Sequence, residues 1–509
     1  MASLAESAEA SSSRVTAVQQ QQQVPLTLKT SIPDLSLPPT SYLVPTNFSR
    51  AHLSTLVNRL LAQTANLTTT VPFDFIADGQ LLRESLESWL DKNGKTVEEG
   101  IELEYIKSTL PPKWAGSFEH DDWVASIDAS REGTFLTASY DSCIRLFSYA
   151  SPQEAVLTHK VVSTGSSAQS LVDAKWLGSS SRIVTAAVDG TVRIFTVPEA
   201  NFTSETPGQI PGAGRTAMGP SALTSLSVSP DGEAVLSASR DGSVGYWKVG
   251  DVEISPSEAT GVDDQADEDA KRKRRKGVNG KASSALQAKK PSALLWHSPP
   301  ALLNNDVYAP SNNARVSQAV FSKTSSEVAY SAGYDGKVVE WDLFGAIQGG
   351  NPKLSQKTSD KVILCLDSMS ASARGSSSSA VCVTGHMDRS IGIWDMRSAS
   401  ANISLLLPNA HGAPVYTVSS HPQSPNLLCS ASGDGVVKLF DTRSPRRALF
   451  SLARPQAAAP AGAVTGSSKE KLLASAWDCG GQVVLAGGED CKVNIFRGEG
   501  IGIERPGLA

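Results

Sequence analysis

Hydrophobic and polar positions along most of this chain repeat in one pattern. Between Thr137 and Gly498 a thirteen-residue unit occurs seven times: small residues, Asp at the fifth place, a β-branched residue three later, and an aromatic three beyond that. The copies read TASYDSCIRLFSY from Thr137, TAAVDGTVRIFTV from Thr185, SASRDGSVGYWKV from Ser237, SAGYDGKVVEWDL from Ser331, TGHMDRSIGIWDM from Thr384, SASGDGVVKLFDT from Ser430 and AGGEDCKVNIFRG from Ala486. Each predicts two strands around a tight turn. Upstream lies another short apolar run, as at Trp123–Ile127, Leu223–Val228, Ala319–Phe321, Val362–Leu366 and Val415–Val418, so every unit has at least three strands. Such a sheet cannot bury both faces alone. Neighbouring units must stack, and seven of them close a ring. The aspartates at Asp141, Asp189, Asp241, Asp335, Asp388, Asp434 and Asp490 point to turn stabilisation, since an Asx side chain can accept from the donors of the turn it begins. A catalytic carboxylate is expected once, beside a different partner.

The first part of the chain is patterned differently. Residues 1–23 end in five Gln and form a low-complexity head expected to be disordered. Residues 24–30 alternate as a strand, Ser41–Val44 reads as a second, and Ser49 caps a helix with Leu53, Leu56, Val57, Leu60 and Leu61 on one stripe. A strand at Pro72–Ile76, a turn-rich segment LLRESLESWL from Leu81 and a final strand IELEYIK from Ile101 complete a small α+β domain of ubiquitin-like type over 24–108. Leu110-Pro111-Pro112 then marks a semi-rigid linker over 109–118, with the ring occupying 119–509.

The repeat resembles the WD-repeat β-propeller, whose four-stranded blades end their third strand in Trp-Asp. Trp341-Asp342 and Trp394-Asp395 match in full and Phe440-Asp441 nearly so. The other four copies keep the aromatic and lose the Asp, and the family's upstream Gly-His pair is missing; His411-Gly412 reads as part of a loop leading into a blade. The expected fold is therefore mainly β: a seven-bladed WD-repeat propeller preceded by a small ubiquitin-like α+β domain. Only thirteen residues follow Phe496. The outer strand of the last blade comes either from this tail or from Lys113–Phe118, and the pattern leaves both open.

Composition narrows the function. A net charge of −5 and a pI near 5.9 give no global case for binding nucleic acid or an anionic membrane. The six cysteines show no C-x-x-C pair or zinc spacing and read as core residues in a reducing compartment. No signal peptide or run of about 20 apolar residues is present. Glycine-rich phosphate loops, nucleophile elbows and metal-ligand spacings are missing too, which makes a binding scaffold rather than an enzyme the expectation, with no small-molecule substrate. Successive turn aspartates lie 46–56 residues apart, except for 94 between Asp241 and Asp335. The charged insertion at about 250–300 carries Lys271, Arg272, Lys273, Arg274, Arg275 and Lys276 directly after an acidic run. Such a segment cannot pack a core; as a solvated tether it suits nuclear import or a local contact with rRNA phosphates.

A more specific resemblance covers nearly the whole chain from about residue 24. VPFDFIADGQLLRESLESWL from Val71, ELEYIKSTLPPKW from Glu102 and DDWVAS from Asp121 resemble the ubiquitin-like domain and junction of the YTM family, the WD-repeat member of the pescadillo complex that matures the large ribosomal subunit. The resemblance implies a nuclear factor of the nucleolus and nucleoplasm whose propeller binds the carboxy-terminal propeller of the block-of-proliferation protein, with pescadillo joining through it. It also implies that the small domain docks on midasin, an AAA ATPase. A carboxylate from the loop KNGKTVEEG, Lys92–Gly100, would complete the shell of a divalent ion, Mg²⁺ by its oxygen preference, that the ATPase holds. The ATPase would then pull the factor from the pre-ribosomal particle. The implied ligand is Glu98, with Glu99 as the alternative one residue along. Two other readings are a Notchless-like factor, which eight turn motifs would favour, and a substrate-receptor propeller of a ubiquitin ligase, which would need an F-box-like segment.

Overall fold

The computed structural model describes residues 22–498 apart from 65–69, 151–153, 162–169, 198–214, 219–221, 253–290, 298–300, 304–306, 310–314, 350–351, 370–379, 399–402, 445–446 and 455–469. These residues fall into two compact units, one within 1–108 and one within 109–503. The basic cluster Lys271–Lys276 and residues 1–21 of the Gln-rich head lie outside the described residues; Gln23, expected at the end of the disordered head, instead pairs with Pro45 in a sheet.

The first unit contains β1 (Gln23–Lys29), β2 (Ser41–Pro45), α1 (Arg50–Thr64), β3 (Phe73–Ala77), β4 (Gln80–Leu81), α2 (Leu86–Asn93) and β5 (Ile101–Lys107). Its sheet runs in the order β2, β1, β5, β3, β4, with β1 parallel to β5 and the other pairs antiparallel. Period-two alternation puts Val24, Leu26 and Leu28 on the same face as Ile101, Leu103 and Tyr105, where Leu53, Val57 and Leu61 of α1 bury them. The segment LLRESLESWL departs from the turn-rich expectation. Its second half opens the helix α2, because Ser85 caps Ser88 N–H, Leu86 and Leu90 bury one face and Gly94 ends the helix at φ 63°.

The second unit is a ring of seven four-stranded antiparallel sheets. Its inner strands, blades one to seven, are Val124–Asp128, Leu171–Trp176, Leu223–Val228, Val316–Phe321, Ile363–Ser368, Val415–Ser420 and Leu472–Trp477, each touching the next and the seventh touching the first. The outer strand of blade seven is β6 (Lys113–Glu119), antiparallel to Lys492–Arg497. This corrects the linker expected over 109–118: only 109–112 lie between Ser108, whose N–H is held by Pro72 C=O at 2.8 Å, and β6. The partner strand dictates this pairing, since KWAGSFE has little alternation of its own. It also decides between the two candidate closing segments in favour of the upstream one.

Candidate functional site

The recurring aspartates are committed to the backbone. Each of the seven accepts a hydrogen bond from the N–H two residues on, at 2.8–3.3 Å. The residue between is left-handed every time: Gly190, Gly242, Gly336 and Gly435, but also Ser142 at φ 70°, Arg389 at 74° and Cys491 at 53°. Four blades use Gly because no Cβ opposes that conformation; three hold a side chain there and bear the strain.

The aromatic position has two solutions. Trp247, Trp341 and Trp394 are buried and donate Nε1–H to Ser237, Ser331 and Thr384 at 2.7–2.8 Å. Two residues before each Trp, on the same strand face, stand the uncharged Gly245, Val339 and Gly392. Where Phe replaces Trp, that place holds Arg145, Arg193, Lys438 or Asn494. Arg145 pairs with Asp141 at 2.6 Å, Arg193 with Asp189 at 3.3 Å, and Asn494 Nδ2 donates to Asp490 at 3.1 Å. Lys438 instead donates to Ala410 C=O at 2.7 Å, leaving Asp434 to His411 at 3.1 Å.

Three buried histidines that follow an outer strand complete these networks, two of them missed by the sequence reading, and His386 within blade five bonds Thr384 and Ser390 at 2.8 and 2.9 Å. His120, His297 and His411 bond Thr137, Ser331 and Ser430 at 2.7–2.8 Å, and His297 also reaches Asp335 at 3.1 Å. They follow the outer strand of the preceding blade, at 17 to 34 residues from their partners, so no fixed dipeptide reveals them. Burial pushes His120 down to about 4, with Arg145 adding to it, and pushes His386 to about 4 as well. Burial works against the Asp434 carboxylate, but bonds from His411 and Gly412 N–H prevail and hold it at about 2. His386 and His411 are bonded at both ring nitrogens, whereas His120 is bonded through Nε2 alone and its buried Nδ1 has no partner; all three are held inside the fold. Cys365, Cys382 and Cys429 are buried as expected for core residues, whereas Cys479 is exposed.

The inner strands surround a channel of about 910 Å³. Its polar side chains clasp one blade to the next. Ser126 and Asp128 accept from Ala174 and Trp176 N–H, Asp173 from Leu226, Ser225 and Ser227 from Ala319 and Phe321, Gln318 from Leu366, and Asp367 from Ser420, at 2.7–3.2 Å. Trp477 Nε1 donates to Ser419 C=O at 3.1 Å across the sixth junction. Burial opposes the charge on Lys175, yet the Asp173 and Asp128 carboxylates more than offset it and raise its pKa. Among the described residues no group of three or more His, Cys, Asp and Glu is arranged to hold a metal, and no helix is long and apolar enough to cross a membrane.

The turn carrying Glu98 is built differently. After α2 ends at Gly94, Lys95 N–H returns to Leu90 C=O at 3.1 Å, and Val97–Glu99 form a single 3-10 turn whose Val97 packs on the core. Gly100 follows at φ 73°, where a Cβ would come within 3.3 Å of Pro25 C=O; close approach to β1 and positive φ both require glycine. The turn is thus pinned at both ends while Glu98 and Glu99 are exposed. Neither carboxylate has a hydrogen bond or ion pair among the described residues. A hard oxygen donor on a pinned, open turn fits an incoming divalent ion.

Residues 24–90 match the NLE (NUC135) domain family, and residues 113–148, 215–248 and 404–441 match the WD domain, G-beta repeat. The first of these repeats begins at β6, in keeping with the ring closure. The ribosome biogenesis protein ytm1 of Aspergillus niger is 30% identical over 515 residues, covering 94% of this chain and 96% of that protein. This chain belongs to the ytm1 family. The family member of Neurospora crassa is 30% identical with 95% and 98% covered, and that of Aspergillus oryzae 29% identical with 97% and 99% covered. The ytm1 match thus spans both units.

Proposed function

We propose that this chain is a non-enzymatic assembly factor of the large ribosomal subunit, working in the nucleolus and nucleoplasm on rRNA processing and pre-ribosome maturation. Its propeller anchors it in the pre-ribosomal particle through the block-of-proliferation propeller and pescadillo. Its small domain offers the Glu98 carboxylate to the Mg²⁺ of the midasin ATPase, which withdraws the factor. The observation that carries this reading is the likeness, over nearly the whole chain, to ribosome biogenesis proteins, joined to the exposed acids Glu98 and Glu99 on a pinned turn. A chain with Glu98→Ala should enter particles and stay there. Purified particles should accumulate the variant at several times the normal level; a variant cleared at the normal rate would refute the release step. The cluster Lys271–Lys276 serves import: replacing all six residues by Ala should move the protein to the cytoplasm, and undiminished nuclear accumulation would place the signal elsewhere.

A further inference from the structure

Six of the seven blade junctions are joined by hydrogen bonds between inner strands or from one inner strand to the next blade's backbone. The seventh is not. Among the described residues no hydrogen bond links Leu472–Trp477 to Val124–Asp128, and the contact around these inner strands is apolar: Ala474, Ala476, Leu485 and Val493 against Val124, Ile127 and Phe135; farther out, Arg497 of blade seven donates to Tyr149 C=O of blade one at 3.4 Å. Blade seven supplies few polar side chains there because its inner strand reads LLASAW. The same blade borrows its outer strand, and β6 bridges the gap. Phe118 of β6 is buried against Phe135 and Phe147 of blade one at ring distances of 5.1 and 4.8 Å. His120 then continues into blade one, bonding Cys491 C=O at 2.8 Å and Thr137 at 2.8 Å.

The strand that closes this unclasped junction is also the strand the small domain is tied to. β5 ends at Lys107 and β6 begins at Lys113, so tension on the small domain enters the ring at Lys113. Its register partner is Arg497, at the other end of the ladder from the Glu119–Lys492 ion pair, and the register already slips between Ile495 and Phe496. Load applied there strains one pair at a time, starting beside an irregularity.

We propose that the junction of blades seven and one is the opening point of the ring, and that pulling on the small domain peels β6 first and unclasps it. This rests on the reading that an ATPase pulls on that domain, but the ring's response can be measured without one. Hold the full chain between its amino terminus and a peptide tag inserted after Asp360, and stretch it. The first propeller step should release the seven residues of β6, lengthening the chain by on the order of 25 Å, before any whole-blade step. A Lys113→Cys, Arg497→Cys pair, in a Cys479→Ser, Cys491→Ser background, should abolish that step when oxidised and restore it when reduced. Phe118→Ala, which needs no disulfide, should lower the force of that first step while leaving the small domain's own step unchanged. A first step that is a whole blade, or one indifferent to both changes, would overturn the proposal. Failure of midasin docking would leave this result standing, so the two ideas fail separately.

Discussion

The turns of the propeller and the one turn of the small domain that carries Glu98 put carboxylates to opposite uses. Each propeller turn folds its acid inward onto the N–H two residues on, and in several blades His411, an arginine or an asparagine holds the second oxygen. The Glu98 turn achieves its shape without the acid, through Gly94, Val97 and Gly100. The difference teaches how to separate structural from functional acids: ask whether the local fold would survive without the carboxylate. By that measure the seven aspartates are parts of the fold, and Glu98 is available for a partner.

That contrast can be broken or sharpened by stability measurements. The largest effect belongs to the networks the aspartates sit in. Trp394→Ala removes a fully buried indole and its 2.7 Å bond to Thr384, and should cost about 3–5 kcal/mol in denaturant unfolding. Next comes acid. His120 and His386 lie near 4 in the fold, against about 6.5 in an unfolded chain. The unfolded chain therefore binds more protons between these values, and stability is intact above pH 6.5 and lost as pH falls towards 4. The loss is on the order of 3 kcal/mol per histidine at most, visible as a falling Tm that His120→Gln should flatten. Asp241→Ala removes the bonds to Ser243 N–H and Oγ, at 3.0 and 2.6 Å, for about 2 kcal/mol. Glu98→Ala should stay within about 0.5 kcal/mol. A Glu98 change as costly as the Asp241 change would erase the distinction.

How much of this was legible in the sequence follows from how local each signal is. The blades were legible because a turn Asp, a left-handed residue and an aromatic recur at fixed spacing. Helix α2 was missed because it shows only two buried apolar positions, Leu86 and Leu90, too few to establish a period. β6 was one of two candidates for the closing strand and stayed undecided because its partner lies about 380 residues away, as the Trp114–Asn494 bond shows. His120 and His297 escaped because their distance from the Ser or Thr they bond varies between blades. The junction clasps were half visible: Asp128, Asp173, Gln318 and Asp367 are polar residues inside otherwise apolar strands, a sign of a buried partner. Glu98 had no signal of its own; only the family resemblance singled it out, and the turn leaves it and Glu99 equally exposed.

The most direct measurement is equilibrium docking of the full chain on midasin in the presence of Mg²⁺, with and without a chelator. The account predicts that Glu98→Ala abolishes docking, at least 100-fold weaker, that Glu98→Asp weakens it because the shorter arm falls short of the ion, and that chelation of the unaltered chain reproduces the Ala variant. Chelator-sensitive docking kept by Glu98→Ala but lost in Glu99→Ala would move the ligand one residue along. Docking that survives the double change Glu98→Ala, Glu99→Ala would contradict the metal bridge.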